Sequence, residues 1–160
     1  MDVTADLQAR AEAAAVFGWV DDLARYPQWL EMVSRADPAP PHPDDEGPAW
    51  SIDLRARLGP LARAKRLRMV RVLHEAPHRV EFARREHDGR QHSPWVLRAD
   101  VVDADGEPGG GEGVTLRMHL HYGGGLFGPV VERLLTDEIE RARPRLVTLI
   151  EGGTSDDAVA

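Results

Sequence analysis

Hydrophobic positions change period several times along the chain, and each change marks an element. Val3, Ala5, Leu7 and Ala9 alternate with other residues, as in a strand with one covered face. From Ala11 to Ala24 the spacing switches, and Val16, Phe17, Val20, Leu23 and Ala24 fall on one face of a helix. Pro27 cannot continue that helix but fits the first turn of another. A break is therefore expected at Tyr26, followed by a short helix carrying Trp29, Leu30 and Val33. The stretch DPAPPHPDDEGP, Asp37 to Pro48, reads as a surface loop with no role in the core, entered from a short strand at Val33–Ala36.

Alternating runs then follow in series. Trp50, Ile52, Leu54, Ala56 and Leu58 share one face, with Ser51, Asp53, Arg55 and Arg57 opposite. Leu67, Met69, Arg71 and Leu73 form the next face, in a longer run whose pattern slips and which suggests a bulge. Val80, Phe82 and Arg84 come next, then Trp95, Leu97, Ala99 and Val101. In the last run Val114, Leu116, Met118, Leu120 and Tyr122 face away from Thr115, Arg117, His119 and His121. Short connections between such runs imply antiparallel pairing, and the two-faced pattern implies a sheet with one wet side. From Gly128 to Glu151 a helical stripe returns through Val131, Leu134, Leu135, Ile139, Ala142, Leu146 and Leu149. That helix would be about 35 Å long, enough to cross the sheet, with a kink or a new turn at Pro144. Residues 152–160 read as a frayed tail. The order is α+β, in one domain over residues 1–151.

One motif points elsewhere. Gly123-x-Gly125-x-x-Gly128 sits between a strand and a helix, the glycine pattern of a dinucleotide-binding turn. That turn needs a second, parallel strand carrying an acidic residue, and only one helix and a polar tail follow. The glycines are better read as a sharp turn into the helix, with Pro129 in its first turn.

Composition narrows the chemistry. The 160 residues carry a formal charge of −7, which argues against a general nucleic-acid binder. The basic run from Arg55 to Arg71 belongs mostly on a solvent face. There is no cysteine, so disulfides and thiolate chemistry are excluded. No apolar run is long enough for a membrane span, and the N-terminus does not read as a secretory signal; the expected location is cytoplasmic.

The segment AEAAAVFGWVDDLARYPQWLEMV, with its Tyr26-Pro27-Gln28-Trp29, resembles the helix and Tyr-Pro-x-Trp signature of START-like proteins. The stretch LFGPVVERLLTDEIERARPRLVTLIEG is similar to their closing helix. These proteins include the Bet v 1-like group and the polyketide cyclase/dehydrase and lipid-transport group. The resemblance implies a helix-grip fold: a curved antiparallel sheet of about seven strands around a long C-terminal helix. It also implies a cavity for lipids, quinones or polyketides. Some members close polyketide rings, and some bind partner proteins.

A curved one-sided sheet under a helix leaves a concave apolar space. The inward faces would line it with Trp50, Met69, Phe82, Trp95, Met118 and Tyr122, and Trp29 would join from the helical segment. Arg71 and Arg84 interrupt those faces. An unpaired buried charge is expensive, so each either meets a polar ligand group, is paired, or is turned outward by a bulge. The resemblance implies that a cyclase would use a strand arginine to polarise a poly-ketone, and Arg71 is similar to it by strand order, although Met69 stands where a hydroxyl often accompanies it. His119-x-His121 has the spacing of a metal pair but lies on the expected wet face, so no metal and no cofactor are expected. The leading expectation is a carrier of an apolar small molecule. A cofactor-independent polyketide cyclase or dehydratase is the alternative, and a protein-interaction module the third reading.

Overall fold

A computed structural model of the chain describes residues 1–58, 61–103, 113–124 and 128–157. Seven strands form one sheet in the order β1-β7-β6-β5-β4-β3-β2, with every neighbouring pair antiparallel. They are β1 (Asp2–Ala9), β2 (Val33–Pro38), β3 (Ala49–Leu58), β4 (Leu61–Glu75), β5 (Arg79–Arg84), β6 (Trp95–Asp103) and β7 (Val114–Tyr122). The strands β1 and β2 are the two sheet edges, although they are consecutive in the chain. Between them α1 (Ala13–Val20) and a 3-10 segment (Leu23–Gln28) carry the backbone from one edge to the other. The closing helix α2 (Gly128–Asp157) lies against the concave side, where Leu135, Ala142, Leu146 and Ile150 are buried. This is the curved sheet and long helix expected from the alternation and the final stripe.

Three details differ from the sequence reading. The first helix ends at Val20, and the segment from Leu23 is 3-10, capped by Asp22 whose carboxylate accepts from the Ala24 N–H at 2.9 Å. Pro27 stands near its end, so Trp29 closes that segment and Val33 already belongs to β2. Asp21 and Asp22 favour caps over helix interiors because their side chains compete for backbone N–H groups, and this outweighs the apolar spacing that ran on to Ala24. Second, α2 continues through Pro144 and is described as far as Asp157, past Glu151. A glycine pair lowers helix propensity without forbidding helical dihedrals.

Third, the Pro-rich loop is anchored. The Asp45 carboxyl is almost wholly buried and takes both guanidinium nitrogens of Arg68, at 2.7 and 2.8 Å. It also takes the His42 backbone N–H at 2.9 Å and meets His87 Nε2 at 3.0 Å. The Arg68 hydrogen bonds, foremost, hold its carboxyl well below the ordinary carboxylate range. Composition marked the segment as surface; a bidentate ion pair helps tie it to β4.

Candidate functional site: an apolar cavity between sheet and helix

Strand pairing sets which side chains look inward, because residues directly opposite share a face. Trp50 lies opposite Met69, and Ile52 opposite Leu67. Leu97 lies opposite Phe82 and Leu120. These inward residues, the 3-10 segment and α2 enclose an apolar cavity of about 140 Å³. It is lined by Leu67, Met69, Trp95, Leu97, Leu116 and Met118 from the sheet, by Leu23, Tyr26, Trp29 and Leu30 near the 3-10 segment, and by Leu135, Ile139, Ala142 and Leu146 from α2. Cavities of about 150 Å³ lined by aliphatic and aromatic groups stay dry and accept a benzene-sized guest. Of the predicted site residues, Trp29, Met69, Trp95 and Met118 are in this lining.

Trp50 and Phe82 are buried beyond it. Phe82 is 0% exposed and packs edge-on against Trp50, with ring centroids 5.6 Å apart, and against Tyr26 at 6.4 Å. Tyr26 packs against Trp29 with centroids 4.7 Å apart and rings tilted by 43°, so the four rings form a solid wall. The Tyr26 hydroxyl donates to the Val20 carbonyl at 2.8 Å, and burial, helped by the Asp21 and Asp22 charges, pushes its pKa up. It is a structural bond that closes the end of α1, and not a group free to donate a proton to a guest.

The two inward arginines are both satisfied by protein. Arg71 lies opposite Phe82, and the register shifts only after it, between Arg71 and Leu73. The bulge therefore leaves Arg71 on the concave face and moves Leu73 off it, opposite Glu81. The Arg71 guanidinium donates to the Asp21 carbonyl at 3.3 Å, at the C-terminus of α1, where a cation complements the helix dipole. His74 meets the Asp21 carboxylate at 3.1 Å. Arg84 lies opposite Met69, and its side chain is 7% exposed. It pairs with Glu86 at 3.1 Å and donates to the Ser93 carbonyl at 3.3 Å. Neither arginine is in the lining. Tyr122 also stands beside it, against Trp95 with centroids 4.6 Å apart.

Two features of the lining lie outside the predicted site residues. Glu138 and Arg143 reach it from α2; Glu138 is tied to Arg141, and Arg143 pairs with Glu140 at 3.2 Å. The indole N–H groups of Trp29 and Trp95 are buried and have no hydrogen-bond partner among the described residues. Both rings line the cavity. No periodicity reports an unpaired donor, because pairing depends on the neighbours brought by the fold.

His119 and His121 lie on the outer face opposite Thr4 and Asp2, and both meet one Asp2 oxygen, at 3.1 and 3.0 Å. The His121 hydrogen bond lowers the Asp2 pKa. Among the described residues, His42, Asp44 and His87 bring three possible metal-ligand atoms within 4.8 Å of one another. Their two imidazoles are stacked 3.6 Å apart at 6°. Lone pairs lying in two parallel planes do not converge on one ion, so this arrangement is a stack that docks the Pro-rich loop.

The glycines after β7 are explained by close approach. A Cβ on Gly124 would overlap the Tyr122 hydroxyl, and one on Gly123 would overlap the Pro94 ring. Gly125 lies outside the described residues. The helix that follows faces an antiparallel sheet, with no second parallel strand among the described residues.

Fold and cavity together define a helix-grip protein. Residues 1–151 match the family model described as polyketide cyclase / dehydrase and lipid transport, and the chain belongs to that family. Solved structures agree on the fold. A START superfamily protein from Mycobacterium smegmatis is 17% identical, with 94% of this chain and 97% of that chain covered and a TM-score of 0.68. A protein from Thermus thermophilus is 14% identical, with 96% of this chain and 99% of that chain covered and a TM-score of 0.69. The di-domain ARO/CYC BexL from the BE-7585A biosynthetic pathway is 18% identical, with 94% of this chain and 50% of that chain covered and a TM-score of 0.62. No curated protein sequence matches the chain significantly. Among the described residues, no helix is long and apolar enough to cross a membrane.

Proposed function

We propose that this protein binds an apolar small molecule, such as a lipid, quinone or polyketide, between the sheet and α2. The observation that carries this reading is the cavity of about 140 Å³, whose wall is aliphatic and aromatic and includes the Trp29 and Trp95 rings. Burying apolar ligand surface there contributes roughly 25 cal/mol per Å². The family description, which includes lipid transport, supports the same class of ligand.

Catalysis is the second reading, and the family description and the likeness to an ARO/CYC protein favour it. The side chains argue for binding first. Tyr26 is held by Val20, Arg71 by Asp21, and Glu138 by Arg141. A group committed to a protein partner is not free to transfer a proton or polarise a substrate without losing that bond.

Native mass spectrometry of the protein from its own host, followed by gentle release of bound compounds, tests the choice. A stoichiometric apolar compound is the expected result. A protein that arrives empty, and that converts a poly-ketone in a manner abolished by Arg71→Ala without unfolding, would replace binding with catalysis.

A further inference from the structure

The concave face carries a third cation, and it differs from the two arginines. Lys65 lies opposite Leu54 in the same unbroken register that places Leu67 opposite Ile52, so it points to the side that lines the cavity. Its ammonium stands 5.9 Å from the ring centre of Trp95 and 5.8 Å from that of Tyr122. Trp95 and Leu54 are both in the cavity lining. Lys65 itself is exposed and is not in the lining; it stands beside the cavity, next to the lining residues Trp95 and Leu54.

Among the described residues Lys65 forms no ion pair. The carboxylate in its field, Glu86, already accepts from Arg84 at 3.1 Å and from the Arg68 backbone N–H at 3.0 Å. Desolvation and then the repulsion of Arg84 lower the Lys65 pKa, the signature of a cation short of negative charge. Ring faces stabilise an ammonium but do not neutralise it. Directly beneath, Trp95 is 7% exposed and its N–H has no acceptor among the described residues.

We infer that the cavity takes an amphipathic carboxylate, with its apolar body between sheet and helix and its head group at Lys65 beside the Trp95 indole. This rests on the reading of the cavity as a site for an apolar molecule. One ammonium balances one negative charge. A phosphate dianion would leave a second charge beside ring faces that repel anions. A carboxylate has two oxygens that can accept from the three N–H donors of the ammonium.

Calorimetric titration with octanoate and with its neutral counterpart octanol separates the head group from the body. The proteins are the wild type, Lys65→Met and Lys65→Arg. Lys65→Met should weaken octanoate by at least about tenfold, the scale of a lost charge-assisted bond. It should leave octanol unchanged, and Lys65→Arg should retain octanoate. Equal octanoate affinity in wild type and Lys65→Met, with octanol bound by both, would overturn the role of Lys65 and leave the cavity standing. Failure of the wild type to bind either compound would overturn both.

Discussion

The two ends of the concave face treat their cations differently. At the α1 end, Arg71 reaches the Asp21 carbonyl, His74 reaches the Asp21 carboxylate, and Phe82, Tyr26, Trp29 and Trp50 fill the space behind them. At the other end, Lys65 rests on two rings and shares its field with a carboxylate already engaged by Arg84. The first end is closed by aromatic packing and a capped helix. The second leaves an ammonium beside the cavity with ring faces but no ion pair among the described residues. A cation on an apolar face therefore does not by itself mark a binding site; what marks it is whether the protein supplies the partner.

That contrast breaks first at the closed end. Phe82→Ala removes a fully buried ring from the wall and should cost about 3–5 kcal/mol of stability. Chemical denaturation measures this, and a loss under about 1 kcal/mol would mean that the wall is not a close-packed unit. Next in size, Asp45→Asn should cost on the order of 2 kcal/mol, because it weakens a nearly buried bidentate pair with Arg68. The sign with pH is fixed by the lowered pKa. The Asp45 contribution is fully present above the ordinary aspartate value of 3.8 and is lost as pH falls below it towards the folded-state value. Denaturation curves of wild type and Asp45→Asn should therefore converge on acidification; parallel curves would show that Asp45 is not the responsible group.

Arg71→Ala should cost about 1 kcal/mol, the worth of one hydrogen bond at a helix terminus, and leave octanol affinity alone. A large loss of affinity at unchanged stability would move Arg71 from structure to site. The smallest effect on stability should come from Lys65→Met, which breaks no ion pair among the described residues. Its thermal midpoint should match wild type within a degree or two, as for surface substitutions of about 0.5 kcal/mol or less. A clear destabilisation would mean that the ammonium is part of the packing.

Much of this was legible in the residues. Alternation at Trp50–Leu58 and Val114–Tyr122 set strand faces that the register reproduces, and the stripe through Leu135, Ala142 and Leu146 set the buried face of α2. The bulge in β4 was also visible as a slipping pattern, but its position was not. It falls after Arg71 and so exchanges Leu73, not Arg71, between faces. What sequence could not carry was partnership. Nothing in the spacing of Arg71, Arg84 and Lys65 says that the first meets a helix carbonyl, the second a glutamate, and the third, among the described residues, only ring faces. The basic run hides Lys65, although its spacing of two residues from Leu67 and four from Met69 puts it on their face. Asp45 was hidden for a related reason, since a proline-rich polar loop gives no sign of the arginine it will meet.

The central claim is that a molecule enters the space beside Trp29 and Trp95. The chain has four tryptophans, and only these two are in the cavity lining. The most direct measurement is the set of indole N–H resonances in a proton–nitrogen correlation spectrum during titration with octanoate. The Trp29 and Trp95 signals should shift saturably while those of Trp19 and Trp50 stay nearly fixed. Movement confined to Trp19 and Trp50, or no movement at all at saturating octanoate, would contradict that claim.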